Sequence, residues 1–270
     1  MQPIGIFDSG VGGLGIFKVI AQQLPEQDII YFADNNNLPF GQKTTAQLQQ
    51  ITSKILDHLI STHNIKIAVV ACNTASVSSL SYLREKYSLP IVGAVPVVKP
   101  ACELSKNKKV AILATLHTTN SEYQKTLITQ YGSGIEVLSI ACPDLVDLVE
   151  AGLFDDLHTQ EKLREYLSPA VALGVDVVGL ACTHYPFLRA QIQRLLPEGV
   201  IIVDSNDAVA RQVVKVQSKI LAGSALDQKI GFPEKLAKYS FYVTKEPEKF
   251  QAVARKLLGE MFSGITLISL

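Results

Sequence analysis

Eight short, uninterrupted apolar runs recur along the chain, and stretches with helical spacing separate them. The runs are rich in Val and Ile and end at polar or turn residues, as expected of strands buried on both faces of a parallel sheet. They cover residues 4–7, 29–33, 67–72, 90–95, 109–115, 135–140, 175–182 and 200–205. Residues 45–62 illustrate the helical pattern, with an apolar stripe along one face. This alternation predicts an α/β fold with largely parallel sheets.

The alternation is compatible with two architectures, a single (β/α)8 barrel or two lobes with open sheets. A glycine-rich loop near the start, a proline-bounded segment at 90–100 and a tail with helical spacing after Asp204 favour two lobes. The chain also repeats itself weakly, because VVACNT (69–74) and GLACTH (179–184) each place Ala-Cys at the end of a predicted strand. Two halves with equivalent cysteines facing one cleft would explain this repeat, although two short matches can also arise by chance.

Composition excludes several classes of protein. With 270 residues, 47% hydrophobic and 19% charged, the chain can bury a core in one large or two ordinary domains and is not disordered. Its 25 basic and 25 acidic residues balance, which argues against a nucleic-acid partner, since phosphate binding needs surplus Lys and Arg. The start has no basic segment and no run of about 20 apolar residues occurs, so we expect no membrane span and a cytoplasmic protein. Four cysteines are too few for a disulfide scaffold in a chain of this length.

The glycine-rich loop after the first predicted strand permits a nicotinamide-dependent dehydrogenase as one hypothesis. Gly10, Gly12 and Gly15 satisfy the G-x-G-x-x-G pattern, and Asp34 lies near the acidic position that binds ribose. Asp8 argues against this hypothesis, because its carboxylate would lie beside the pyrophosphate that the helix N-terminus receives. Glycines that allow a tight turn with positive φ and close packing are the more ordinary explanation.

Cys72 and Cys182 are the most informative candidates for chemistry, because each ends a predicted parallel strand. Ligands bind at the carboxyl ends of strands in such sheets. The following helix presents its positive end to the thiol, which predicts a lowered pKa and a larger thiolate fraction. A single buried cysteine is usually only a small apolar residue, but two in the same local motif favour function. Asn73, Thr74 and Thr183 add donors suited to a carboxylate.

The remaining cysteines and histidines lack a comparable setting. No C-x-x-C or H-E-x-x-H occurs, so we expect no metal, although Cys182 and His184 could share one if two more ligands converged. Cys102 and Cys142 are predicted to be structural. His117 follows a predicted strand and has no assigned role, and the histidines predicted at the surface are His58, His63 and His158.

Two thiols on opposite sides of a substrate predict one kind of reaction. One thiolate removes a proton from a carbon acid while the other thiol delivers a proton to the opposite face, which inverts a stereocentre without redox change. Such a reaction also needs donors that stabilise the carbanion or its carboxylate. Asp8 and His184 are the nearby titratable candidates, one from each half of the chain. A helix N-cap and an ordinary loop histidine are their alternative interpretations.

Motifs of one known family occur in segments along nearly the whole chain. The segments are IGIFDSGVGGL (4–14), FADNNNLPFGQKT (32–44), VVACNTAS (69–76), VGAVPVVKPA (92–101), ILATLHT (112–118), ACPDLVDLVEAG (141–152), LACTHYPFL (180–188), VDSNDAVA (203–210) and FYVTKEPEKFQ (241–251). The ACNTAS and ACTHYP pair, in that order after the DSGVGG start, is the most specific part. With these motifs the chain resembles the cofactor-independent glutamate racemases of the aspartate/glutamate racemase superfamily.

This resemblance implies a role for each candidate residue. Cys72 and Cys182 would be the acid/base pair, Asp8 would assist the first thiol and His184 the second. The residues that would hold the substrate are Asp8, Ser9, Phe40, Gly41, Asn73, Thr74, Thr183 and His184, with Thr118 a further contact. Phe40 stands where the family usually has tyrosine, which removes any hydroxyl role, and Asp147 replaces a common proline without an evident function. The family uses no pyridoxal phosphate, and we expect no cofactor.

The resemblance also implies an architecture, α/β with two similar doubly wound, Rossmann-like lobes of parallel sheet and the active site in the cleft between them. Domain A would combine residues 1–97 and 207–270, and domain B would span 98–206. The implied enzyme is a homodimer that acts on glutamate, a small molecule, and supplies D-glutamate for peptidoglycan. An aspartate or hydantoin racemase, the dehydrogenase and a non-catalytic binding protein are the alternatives.

Overall fold

Two parallel sheets run through the part of the chain that the computed structural model describes, residues 2–223 and 237–270. The first sheet contains β1 (Ile4–Asp8), β2 (Ile29–Ala33), β3 (Ile67–Val70), β4 (Ile91–Gly93), β9 (Tyr239–Val243) and β10 (Ile265–Leu267). Its strand order is β10-β9-β2-β1-β3-β4. The second sheet contains β5 (Lys109–Ala114), β6 (Glu136–Ala141), β7 (Val177–Ala181) and β8 (Ile201–Val203), in the order β6-β5-β7-β8.

Every apolar run predicted to be a strand forms one, β1 to β8, which confirms the α/β prediction. The strands divide between two open sheets, so the described residues form two lobes and not a single barrel. The tail after Asp204 contains the predicted helical segments, and it also adds β9 and β10 to one side of the first sheet. β9 is only partly buried and β10 is largely exposed, so neither has the continuous apolar run of a strand covered on both faces.

Helices connect the strands and cover the sheets. The α-helices of the described residues are α1 (Leu14–Gln23), α2 (Thr45–His63), α3 (Asn73–Lys86), α4 (Val98–Leu104), α5 (Leu116–Asn120), α6 (Glu122–Tyr131), α7 (Asp144–Glu150), α8 (Leu157–Leu173), α9 (Arg189–Leu195), α10 (Asn206–Gly223) and α11 (Pro247–Leu258). Short 3-10 helices cover Asn35–Asn37, Phe40–Gln42, Tyr185–Leu188 and Gly259–Met261. None of the described helices combines the length and the apolar character needed to cross a membrane.

Local sequence signals decide where helices begin and end. The helix α2 begins with a capping box, in which Thr44 Oγ1 accepts from the Gln47 backbone N–H at 3.3 Å and Gln47 Oε1 accepts from the Thr44 backbone N–H at 2.9 Å. It ends at Asn64, whose φ of 50° lies in the left-handed region. The helix α3 differs, because Cys72 is its N-cap residue and no side chain caps it. Its first backbone N–H groups are therefore available close to the thiol.

Side chains from both lobes meet in one apolar core. The largest buried cluster includes Ile6 of β1 as well as Leu113 of β5 and Leu180 of β7. The next residue after Ile6, Phe7, belongs to a second cluster on the opposite face of the first sheet. The third cluster includes Ile112, the neighbour of Leu113, on the opposite face of the second sheet. Both sheets are thus covered on both faces, as the continuous apolar runs predict.

The two sheets contain the same four-strand arrangement. The order β2-β1-β3-β4 in the first sheet corresponds to β6-β5-β7-β8 in the second. In register, Phe7 pairs with Val70 and Ala114 pairs with Ala181. Cys72 and Cys182 therefore follow corresponding strands, β3 and β7, and the weak Ala-Cys repeat reflects a structural repeat.

Candidate active site

A cavity of about 830 Å³ opens between the carboxyl ends of the two sheets. Nine of the ten predicted site residues line it: Ser9, Phe40, Gly41, Cys72, Asn73, Thr74, Cys182, Thr183 and His184. The tenth, Asp8, is fully buried directly behind Ser9. Ligands in α/β proteins bind at this end of the strands, and a cleft between two sheets can contact a small molecule from both sides.

The Cys72 thiol is buried, with 6% of the residue exposed, and its pKa departs from the sequence-based prediction. Burial raises the pKa of Cys72 well above its usual range, and the negative charge of Asp8 raises it further. The backbone N–H groups of Ala75 and Thr74 at the start of α3 act in the opposite direction but do not compensate. The expected lowering of this pKa by the helix N-terminus is therefore wrong, because desolvation outweighs the helix dipole.

Asp8 ends β1 and is held by donors from both lobes. Its Oδ1 accepts hydrogen bonds from Ser9 Oγ and from the Gly10 backbone N–H, each at 3.1 Å. Its Oδ2 accepts from Thr183 Oγ1 at 2.9 Å, across the cleft. Burial raises the pKa of this carboxyl, while the positive charge of His184 and the bonds from Gly10 and Thr183 counteract part of that effect. Asp8 is not the N-cap of α1, because Gly13 occupies that position.

His184 connects the second thiol to a buried carboxylate. Its Nδ1 lies 3.7 Å from Cys182 Sγ, and its Nε2 lies 2.7 Å from Glu150 Oε1. Burial by itself lowers the pKa of His184, but the hydrogen bonds and charges of Cys182 and Glu150 reverse this effect and raise it well above its usual range. The imidazole thus lies between the Cys182 thiol and the Glu150 carboxylate and contacts both.

Glu150 is a site residue that the sequence does not reveal. It ends α7, and its Oε1 also accepts from the Val11 backbone N–H of the first lobe at 2.7 Å. The residue is 3% exposed, which is unusual for a glutamate unless its charge is paired. A charged residue directly after the buried Val149 is a weak local signal, and the contacts that define its role come from parts of the chain far apart in sequence.

The glycine-rich loop packs directly against this second half of the site. A Cβ atom on Gly10 would lie 1.9 Å from Glu150 Oε1, and one on Gly12 would lie 2.5 Å from Thr183 Oγ1. None of the loop glycines has a positive φ, so close approach is their function and the expected turn with positive φ is wrong. The buried carboxylate of Glu150 occupies the space in front of the loop, which argues against a pyrophosphate there.

Asp34, the candidate ribose ligand of the dehydrogenase hypothesis, is committed to other contacts. Its Oδ2 accepts from Asn37 Nδ2 at 2.8 Å, and its Oδ1 accepts from Thr244 Oγ1 at 3.0 Å. Asp34 is 2% exposed and stabilises the loop that leads to Phe40. Contacts within the protein therefore explain both the glycine-rich loop and Asp34, without a bound dinucleotide.

Hydroxyl groups from both lobes meet at the other end of the cavity. Thr74 Oγ1 lies 2.9 Å from Thr115 Oγ1 and 3.3 Å from Thr118 Oγ1. Thr115 lines the cavity, whereas Thr118, the predicted further contact, is fully buried behind it. Asn73 Nδ2 donates to the Ala94 carbonyl at 3.1 Å, and its Oδ1 has no hydrogen-bond partner within the described part of the chain.

Phe40 contributes its ring to the core and its backbone to the cavity. The residue is 2% exposed and belongs to the apolar cluster on the outer face of the first sheet. The neighbouring Gly41 approaches the second lobe, since a Cβ atom there would lie 3.3 Å from Thr115 Cβ. A phenol hydroxyl is absent at Phe40, but the backbone donors of the loop remain. Asp147 also lines the cavity, and nothing in the structure explains its charge.

Two cysteines and three histidines are predicted to lie outside the site, and none of the five lines the cavity. Cys102 and Cys142 are buried in apolar clusters without disulfide bonds, in agreement with a structural role. His158 is exposed, and His58 and His63 are half-buried on α2, where the His63 ring centroid lies 4.9 Å from that of Tyr242. Over residues 2–223 and 237–270, no three His, Cys, Asp or Glu side chains form a group that could hold a metal ion.

Comparisons with known proteins identify the family of this chain. The family model described as Asp/Glu/Hydantoin racemase matches residues 13–213. A glutamate racemase of Ectopseudomonas mendocina is 37% identical over 261 residues, covering 96% of this chain and 95% of that protein. Glutamate racemase from Escherichia coli, solved with L-glutamate and the activator UDP-MurNAc-ala, has a TM-score of 0.85 at 32% identity, covering 100% of this chain and 99% of that one. Glutamate racemase from Francisella tularensis, solved with D-glutamate, has a TM-score of 0.84 at 29% identity and covers 99% and 97%. The chain therefore belongs to the Asp/Glu/Hydantoin racemase family.

Proposed function

We propose that this protein is a glutamate racemase, an isomerase that interconverts L-glutamate and D-glutamate without a cofactor. The observation that carries the proposal is the placement of Cys72 and Cys182 after corresponding strands of two lobes, both lining one cavity. In one direction a thiolate removes the Cα proton, the electron pair is delocalised towards the α-carboxylate, and the other thiol protonates the opposite face. The reverse reaction exchanges the two roles.

Each thiol has its own titratable neighbour. Asp8 lies close enough to Cys72 for its charge to raise the pKa of that thiol, and its own pKa is raised by burial, which makes it a suitable acceptor for the thiol proton. His184 bonds to Cys182 and is oriented by Glu150. A raised thiol pKa reduces the thiolate fraction but makes the thiolate a stronger base, which a weakly acidic Cα proton requires.

Uncharged donors explain how a chain without net charge binds an anionic amino acid. We assign the amino and carboxylate groups of the substrate to the side chains of Ser9, Asn73, Thr74 and Thr183 and to the backbone at Phe40 and Gly41, together with Asp8 and His184. The unpaired Oδ1 of Asn73 supports a contact with a donor such as the substrate ammonium group. Hydroxyl and amide groups in a cleft bind a carboxylate more strongly than at an open surface, because less water competes.

Glutamate is favoured over aspartate and hydantoins as substrate. Relatives that share about a third of the sequence over nearly the whole chain are named glutamate racemases, and two of the similar structures contain L-glutamate or D-glutamate. The sequence similarity to these relatives extends well beyond the two cysteine motifs, and this supports glutamate as the substrate here as well.

The same relationship supports several further assignments. We propose that residues 1–97 and 207–270 form domain A and residues 98–206 form domain B, which agrees with the division of the strands between the two sheets. A homodimer and a role in supplying D-glutamate for peptidoglycan follow from the family resemblance. Four unpaired cysteines are compatible with the reducing cytoplasm.

The test is to incubate the purified protein with L-glutamate without added cofactor and to follow optical rotation, with L-aspartate in parallel. We expect rotation to decay to zero for glutamate and to change much less for aspartate. Replacing Cys72 or Cys182 with serine is expected to abolish turnover, because a hydroxyl is far too weak an acid to supply the base. The matched control is Cys102→Ser, a buried cysteine outside the cavity, which should retain activity. Constant rotation with both amino acids would refute the proposal.

A further inference from the structure

A chain of hydrogen bonds crosses the cleft beside the substrate-binding end and plays no part in the proton transfers. His117 Nε2 in α5 of the second lobe lies 2.7 Å from Ser78 Oγ in α3 of the first lobe. Ser78 Oγ in turn donates to the Thr74 carbonyl at 2.9 Å. Both His117 and Ser78 line the cavity that contains the two thiols.

Two neighbours hold the His117 ring, Ser78 of α3 and the backbone of Lys43. Burial lowers the pKa of His117, although the backbone of Lys43 also contacts the ring and partly counteracts this. Ser78 Oγ lies within hydrogen-bond distance of both His117 Nε2 and the Thr74 carbonyl, so it links the ring to the first turn of α3.

The helix α5 thus holds Thr74 at two points. It contacts the Thr74 hydroxyl directly through the Thr115 and Thr118 hydroxyls, and it reaches the Thr74 carbonyl through His117 and Ser78. A substrate carboxylate bound to the Thr74 hydroxyl must compete with the first contact. The second contact uses no atom assigned to the substrate, so it can persist while glutamate is bound.

We propose that His117 is a positioning residue, which through Ser78 keeps the first turn of α3 docked against α5 while glutamate is bound. The part of this inference that concerns glutamate rests on the proposed function. Because His117 contacts neither thiol, its loss weakens substrate binding and leaves the proton-transfer step nearly unchanged.

Steady-state kinetics test this role. In His117→Leu we expect KM for glutamate to rise about threefold to tenfold with kcat within about twofold of the wild type, the effect of one hydrogen bond. Ser78→Ala should give the same increase, and the double variant should be no worse than either single variant, because both remove the same bond. His117→Gln, which keeps a donor near the Nε2 position, should restore KM. The control is His158→Leu at an exposed histidine in α8.

Hydrogen–deuterium exchange tests the contact without relying on activity. In the substrate-free protein, amides of residues 74–78 should exchange about threefold to tenfold faster in His117→Leu than in the wild type, and His117→Gln should be protected again. Unchanged exchange in His117→Leu, an unchanged KM in an active enzyme, or additive effects in the double variant would each overturn the inference. If the wild type fails to racemise glutamate, the proposed function is wrong, and the exchange experiment still decides whether His117 positions α3.

Discussion

Replacing Gly12 with alanine inserts a methyl group into the contact between the two lobes. The added Cβ would lie 2.5 Å from Thr183 Oγ1 and 2.6 Å from His184 Nδ1. Both neighbours are themselves fixed, because Thr183 donates to Asp8 and His184 is bonded to Glu150. Neither side chain can rotate away without breaking a buried hydrogen bond, so the loop and the second lobe must separate.

The size of the effect follows from this overlap. The shorter contact is about 0.9 Å below the 3.4 Å at which ordinary van der Waals contact with a Cβ begins, so relief requires a displacement of nearly 1 Å. Displacements of about 1 Å in catalytic geometry lower rates about a hundredfold. Gly12 has no positive φ, so alanine adds no backbone strain there. We expect kcat/KM of Gly12→Ala to fall about a hundredfold in both directions, without gross unfolding.

The assay is the initial rate of glutamate racemisation from each enantiomer, combined with thermal denaturation. Gly5→Ala is the matched control, because its Cβ would lie 2.8 Å from Ile65 Cδ1 in the core, away from the cavity. That variant should lose stability but keep its kcat/KM, whereas Gly12→Ala should show the opposite pattern. A Gly12→Ala enzyme within about twofold of wild-type kcat/KM would refute the argument that lobe contact at this glycine fixes the site.

Two further predictions concern buried titratable groups. Glu150→Gln should lower kcat about tenfold to a hundredfold, because it removes a charge-assisted bond to His184, and NMR titration should show a lower pKa for His184; an unchanged titration would contradict this pairing. Burial lowers the pKa values of His58 and His63, so the native state binds fewer protons than the unfolded state, and the free energy of unfolding should fall as the pH drops below the usual histidine range. Urea denaturation at pH 7.5 and 5.5 should show a smaller loss for His58→Gln than for the wild type, and an equal loss would contradict this reasoning.

The sequence predicts the strands that are buried on both faces and misses those that are not. Every residue of β1 and β2 is buried, and the sequence shows uninterrupted apolar runs at 4–7 and 29–33. β9 has the polar Ser240 among aromatic residues and is only partly buried, and β10 has three residues at the edge of the sheet. Strands that are not covered on both faces depend more on pairing with their neighbours, which local hydrophobicity does not encode.

The site is predictable where local position determines function. Cys72 and Cys182 can be identified because the ends of parallel strands are recognisable in sequence. Glu150 cannot, since its role depends on contacts with Val11 and with His184, both distant along the chain. The pKa of Cys72 has the wrong predicted sign for a related reason, because the helix dipole is a local property whereas burial is produced by the whole fold.

Each half of the site is completed by the other lobe. Asp8, next to Cys72, is bonded by Thr183 of the second lobe, and Glu150, which orients His184, is bonded by the Val11 backbone of the first lobe. Separation of the lobes therefore breaks both arrangements together.

The incorporation of solvent deuterium at Cα during the first turnovers tests the central claim, two thiols acting on opposite faces, most directly. L-Glutamate is converted in D2O, and both enantiomers are separated and analysed by mass spectrometry before racemisation has advanced far. With two bases, the newly formed D-glutamate carries deuterium from the second thiol, while the recovered L-glutamate remains protiated; the reaction started from D-glutamate gives the mirror-image result. Newly formed product that retains the original proton, or recovered substrate that gains deuterium as fast as product forms, would contradict a mechanism with separate acids on the two faces.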